Sequence, residues 1–191
     1  MTRTDPNTSD RILAKTVLWL VPRFVTPNHI TILRFLSIPL IVYLLLRREY
    51  HLAFPIFALS AFTDALDGAL ARTRGQITEW GKLFDPMADK ILIASSAVVL
   101  IVTEMSFLLG IIMISVDAAI AFAVVYQYNV KKQILSPHWT GKTKMFLQSL
   151  GLSVFLLSFI AQIPFIELAA IGILYFAVCF GLLSLFIYHS S

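Results

Sequence analysis

Long apolar stretches alternate with short polar ones along the chain, on the length scale of membrane-crossing helices, which need about 20 mainly apolar residues each. Ile30 to Leu46 is interrupted only by Arg34 and closed by Arg47, Arg48 and Glu49, with Thr26-Pro27 suited to start it. A second stretch begins near His51, stays uncharged through Thr63 and turns polar from Asp64 to Arg72. The third mirrors it: Lys82 to Lys90 is polar and Ile91 to Thr103 uncharged. Met105 to Tyr126 carries one charge, Asp117; Met145 to Ile163 carries none; Phe165 to Tyr188 has only Glu167 near its start.

This pattern predicts an all-α polytopic membrane protein, a six-transmembrane-helix bundle. Ahead of it, Arg11 to Val21 is too short to span and reads as an N-terminal interfacial amphipathic helix. The chain then divides into an N-terminal cytoplasmic or interfacial segment, residues 1–25, and a membrane domain, residues 26–191. Met1 to Asp10 lacks the basic and apolar regions of a signal peptide.

Composition agrees with the pattern. The 191 residues are 58% hydrophobic and 14% charged, against about 25% charged in soluble domains. So little charge cannot cover a water-exposed surface, which excludes secreted domains, disordered chains and most soluble enzymes. Of the 15 Lys and Arg, all but Arg47 and Arg48 fall in the N-terminal segment, the Arg72–Lys82 and Lys131–Lys144 connections, or the helix ends beside them. Six spans place all of these on one side, which the positive-inside rule makes cytoplasmic, in the cytoplasmic (inner) membrane. Topology and anionic lipid therefore account for the pI of 9.3 without nucleic acid as a partner. The single cysteine, Cys179, lies in an apolar run and reads as a buried spectator thiol, and the scattered histidines have no zinc-site spacing.

The acidic residues carry the chemistry, because carboxylates embedded in membrane segments are costly and mark functional sites. Asp64 and Asp67 are three apart and Asp85 and Asp89 four apart, so each pair shares a helix face at the cytoplasmic end of its helix. Four carboxylates brought together repel unless cations neutralise them. Hard oxygen ligands suit Mg²⁺ or Mn²⁺, and two such ions about 4 Å apart are a recurring device for phosphoryl displacement. Gly68, Ala71 and Gly81 leave room for a bulky ligand, and Arg72 can answer a phosphate.

As one string, Asp64-x2-Asp67-Gly68-x2-Ala71-Arg72-x8-Gly81-x3-Asp85-x3-Asp89 resembles at every defined position the signature of the CDP-alcohol phosphatidyltransferase family. Pro27-Asn28-x2-Thr31-x2-Arg34 resembles that family's first-helix start, and the likeness runs from about Thr26 to Tyr188. The resemblance implies a six-helix core, a dimer, and transfer of the phosphatidyl group of CDP-diacylglycerol to an alcohol with release of CMP. It also implies that Asp64, Asp67, Asp85 and Asp89 hold two divalent ions, that Asp89 serves as general base, and that Asp67, Gly68, Ala71 and Arg72, with Asn28 and Thr31, line the CDP site.

Simpler readings stand beside these. Asp85-Pro86 makes a good N-cap and N1 pair. Asp64 or Asp67 could pair with Arg72 or Arg74, and the glycines could serve helix packing. None of them accounts for all the motif positions together.

For the acceptor, Gly141-Lys142-Thr143-Lys144-x3-Gln148 resembles the segment of phosphatidylglycerophosphate synthases whose basic residues face an acceptor phosphate, which points to Lys142, Lys144 and glycerol 3-phosphate. Positive-inside anchoring is the other reading of these lysines. Val116-Asp117 stands where those synthases generally carry Arg-Glu and cardiolipin synthases Arg-Asp, so phosphatidylglycerol is the alternative acceptor; Asp117 could equally be a hydrogen-bonding residue inside the bundle. A small ion-coupled transporter is a more remote alternative, which would call for charged paths in the last two spans.

Overall fold

A computed structural model describes residues 26–74, 79–126 and 139–190, apart from the side chains of residues 27, 64–74, 79–83, 86 and 188–190. The expected interfacial helix at Arg11 to Val21 lies outside these residues. The described elements are helices throughout: α1 (Pro27–Leu46), α2 (Tyr50–Arg74), α3 (Glu79–Thr103), α4 (Phe107–Tyr126), α5 (Trp139–Ala161) and α6 (Pro164–Ser190). Asn28–Leu46, Phe107–Tyr126, Trp139–Ala161 and Pro164–Ile187 are each long and apolar enough to cross a membrane, while Tyr50–Thr63 forms a shorter apolar stretch. The chain is a multi-pass membrane protein. In α2 and α3 the apolar stretch fills about half of the helix and the polar motif the rest, which sets these two apart from the other four.

Two compact units make up the chain, residues 1–95 and 96–191. In the first, α1 starts at Thr26, whose backbone is extended (φ −97°, ψ 157°), with Pro27 following. The Thr26 N–H donates to His29 Nδ1 at 3.4 Å, which satisfies one of the amides that a helix start leaves without a partner. At its other end the Glu49 N–H returns to the Leu44 carbonyl (2.9 Å) and the Arg48 N–H to the Leu45 carbonyl (3.0 Å), with Arg48 left-handed at φ 58°. This paired return terminates α1 and turns the chain into α2 within three residues. The buried face of α1, Thr31, Arg34, Ile38, Ile41 and Leu45, follows helical spacing, and α2 offers Ala53, Phe57 and Ser60. Phe35 meets Phe84 of α3 edge to face, with centroids 6.4 Å apart. The opposite face of α1 exposes Leu33, Leu36 and Leu40, as a face solvated by lipid should.

In the second unit, α6 packs against both α5 and α4. The contacts are built on small residues, as lipid supplies little hydrophobic force between helices and close approach must supply attraction. A Cβ on Gly151 would lie 2.6 Å from Leu174 Cδ2, and one on Gly181 would lie 2.5 Å from Val116 Cγ1. Both glycines are seats for the side chain opposite. Gly151→Val should therefore destabilise the protein by about 1–3 kcal/mol through overpacking, read as a lower unfolding temperature in detergent micelles; unchanged stability would mean that α5 and α6 are free to move apart. Cys179 departs from expectation: it is exposed on α6, because its neighbours Ala177 and Val178 occupy the buried face.

Candidate functional site

The chemistry-bearing residues of the first unit lie on all three of its helices. Asp85 and Asp89 sit one turn apart on α3, both half-buried. Helix α3 begins at Glu79 and runs through Asp85 and Pro86, so Asp85 is not a helix cap and its carboxylate is not occupied with a helix start. Its oxygen Oδ1 instead accepts a hydrogen bond from Thr31 Oγ1 of α1. Thr31 is 0% exposed, so this hydroxyl faces the protein interior and not solvent. Asn28, one turn earlier on α1, is half-buried.

Arg34, a turn beyond Thr31, is 1% exposed. Its Nε donates to the Ser60 carbonyl at 3.3 Å and an Nη to Thr63 Oγ1 at 3.4 Å. The Thr63 hydroxyl in turn donates to the same Ser60 carbonyl at 2.7 Å. Ser37 ties the group together, giving its hydroxyl to the Arg34 carbonyl (2.7 Å) and lying 2.8 Å from Ser60 Oγ. In an α-helix the carbonyl of residue 60 belongs to the amide of residue 64, so this network grips the turn of α2 on which Asp64 stands. Asp64 and Asp67 lie in the helical part of α2, as do Gly68, Ala71 and Arg72; the side chains of these five, and Gly81, fall outside the described ones. The ion pairs considered for Asp64 and Asp67 likewise fall outside them.

Among the described residues, no three His, Cys, Asp or Glu side chains converge as a metal-binding group. The donors that are described do fit a hard divalent cation: oxygen only, one helical turn apart, half-buried, and with Asp85 oriented by a hydroxyl, as ligating carboxylates usually are.

The second unit holds a different arrangement. Lys144 Nζ of α5 forms an ion pair with Asp117 Oδ1 of α4, and Gln148 Nε2 donates to Asp117 Oδ2 at 3.1 Å. Lys144 is buried and the Asp117 side chain is 33% exposed. Of the readings open for Asp117, the structure supports the internal one: it joins two helices. Lys144 and Gln148 are four apart and share the buried face of α5, whereas Lys142 is exposed. The sequence showed the isolated charge at Asp117 but not which cation answers it.

The chain matches the family model described as CDP-alcohol phosphatidyltransferase over residues 24–183. It is 32% identical over 162 residues to the CDP-diacylglycerol–glycerol-3-phosphate 3-phosphatidyltransferase of Haemophilus influenzae, covering 81% of this chain and 86% of that one. It is 29% identical over 137 residues to a probable phosphatidylglycerophosphate synthase of Mycobacterium tuberculosis, covering 68% of this chain and 65% of that one. With a Pseudomonas fluorescens protein named as the Haemophilus one is, it shares 45% identity over 78 residues, or 39% of this chain and 40% of that one. The aligned part of this chain therefore spans less than two thirds of the Mycobacterium and Pseudomonas relatives' own length.

Proposed function

The chain belongs to the CDP-alcohol phosphatidyltransferase family, and on that premise we propose that it transfers the phosphatidyl group of CDP-diacylglycerol to glycerol 3-phosphate, giving phosphatidylglycerophosphate and CMP. The observation that carries this reading is the family match across residues 24–183, which contains every position from Asp64 to Asp89, in a chain similar to transferases named for glycerol 3-phosphate. Family membership also sets aside the transporter alternative.

In this reading Asp64, Asp67, Asp85 and Asp89 hold two divalent cations, Mg²⁺ or Mn²⁺, which when bound offset negative charge on the pyrophosphate oxygens. Gly68 and Ala71 leave space for the nucleotide, Arg72 faces a phosphate, and Asp67 and Asn28 complete the CDP site. Asp89 accepts the proton of the acceptor's primary hydroxyl as that oxygen bonds to the phosphorus bearing the diacylglycerol. The bond from that phosphorus to the bridging oxygen breaks, and the electron pair leaves on CMP. Lys142 and Lys144 are assigned to the acceptor phosphate. We further assign all six helices to membrane crossing, the aspartates and both termini to the cytoplasmic side of the inner membrane, and the working form to a homodimer.

A second reading, transfer to phosphatidylglycerol to give cardiolipin, is favoured by the pairing of Lys144 with Asp117, which cancels charge that a doubly anionic acceptor needs. The experiment is direct: purified protein in lipid vesicles receives CDP-diacylglycerol and Mg²⁺ with glycerol 3-phosphate, phosphatidylglycerol or inositol phosphate, and the lipid product is identified. Phosphatidylglycerophosphate is the expected product. Cardiolipin alone would establish the second reading, and the absence of CMP release with every acceptor would overturn both.

A further inference from the structure

Asp85 and Asp117 are both intramolecular hydrogen-bond acceptors on membrane helices, yet they are treated in opposite ways. Asp117 receives an ammonium and an amide, so its charge is cancelled and its geometry fixed by the same partners. The partner that the structure gives Asp85 is a neutral hydroxyl, Thr31 Oγ1, which occupies a lone pair and fixes an orientation while leaving the negative charge in place. The bond joins a hydroxyl of α1 to a carboxylate of α3. Thr31 is itself fully buried, while Asp85 is half-buried, so the donor side of the contact is shielded from water.

The same face of α1 carries Arg34, locked onto the Ser60–Thr63 turn of α2 immediately before Asp64. One helix thus touches a carboxylate of α3 through Thr31 and the base of the other acidic pair through Arg34, three residues apart. We propose that Thr31 is a positioning residue: it holds the Asp85 carboxylate in the orientation that receives a divalent cation, with Arg34 anchoring the α2 side of the same carboxylate set. Thr31 then acts from behind Asp85 instead of lining the nucleotide pocket. This rests on the reading of the aspartates as metal ligands, and the test separates the two.

Mn²⁺ binding to the purified, nucleotide-free protein in lipid nanodiscs, followed by the electron paramagnetic resonance signal of the unbound ion, reads the site without turnover. Thr31→Val keeps the shape and removes the donor, and it should weaken Mn²⁺ binding by about 10-fold, the lower end of what loss of a ligand's supporting hydrogen bond costs. Thr31→Ser restores the hydroxyl and should bind within about threefold of the wild type, a rescue that a packing role would not give. Thr31→Ala, which introduces no new bulk, serves as a second donorless variant should Thr31→Val fold poorly. Wild-type Mn²⁺ affinity in the donorless variants would overturn the proposal, as would a serine variant no better than they are. If Asp85→Asn also binds Mn²⁺ as the wild type does, the metal-ligand reading itself fails, and Thr31 with it.

Discussion

Asp89→Asn should lower CMP release from CDP-diacylglycerol by at least about 10²-fold, the contribution typical of a positioned general base. The substitution removes two things at once: the group that takes the acceptor's proton and one negative charge from the set proposed to hold the cations. Stability should change little, since Asp89 is half-buried and an amide of the same shape keeps one of its two acceptor oxygens. Raising Mg²⁺ discriminates between the two losses. Asp85→Asn, which loses only a ligand, should recover part of its rate at high Mg²⁺, whereas Asp89→Asn should stay slow at saturation. EDTA should abolish turnover of the wild type, and Mg²⁺ or Mn²⁺ should restore it. Near-wild-type turnover by Asp89→Asn would move the base elsewhere, and turnover in stringently metal-free buffer would remove the cations from the reaction.

The elements were legible because each rests on a local pattern. Apolar length alone marks α1, α4 and α6 to within a few residues of their observed ends, and Arg47-Arg48-Glu49 marks the first turn. Helix α5 starts earlier than expected, at Trp139 instead of Met145, because Lys142 and Lys144 looked like the end of a polar connection. Lys144 can be helical and buried there because Asp117 is opposite it, and a partner 27 residues away leaves no trace in local spacing. The simpler reading of Asp85-Pro86 as a capping pair does not hold, since such a pair is a local signal and α3 runs straight through it. The candidate site divides the same way. Its residue types and spacings stand in the sequence, within the span of the family match. The contacts made behind those residues, Thr31 to Asp85 and Arg34 to Ser60 and Thr63, join helices that are 54 and 26 to 29 residues apart and require the packing of α1 to be known. Periodicity shows that Thr31 and Arg34 share a face; it does not show which helix that face meets.

The Asp117–Lys144 pair should behave as a unit, and separating its members should reveal whether Lys144 also serves the acceptor. Asp117→Leu leaves an ammonium on the buried face of α5 with its carboxylate gone, at a cost on the order of 3 kcal/mol, the low end for a broken buried pair because Asp117 is partly exposed. The double variant Asp117→Leu/Lys144→Met should recover most of that loss, since an apolar pair of similar volume has no desolvation to compensate. Thermal unfolding of the wild type, the two single variants and the double variant in one detergent completes the cycle, and a double-variant loss equal to the sum of the two single losses would show that the pair contributes nothing as a pair. The recovered double variant then supplies a stable protein without the ammonium. If Lys144 binds the acceptor phosphate, the KM for glycerol 3-phosphate should rise by at least about 10-fold, as expected for a lost charge-assisted contact, with the KM for CDP-diacylglycerol nearly unchanged. An unchanged acceptor KM would leave Lys144 as a strut between α4 and α5, and would leave exposed Lys142 to meet the phosphate alone.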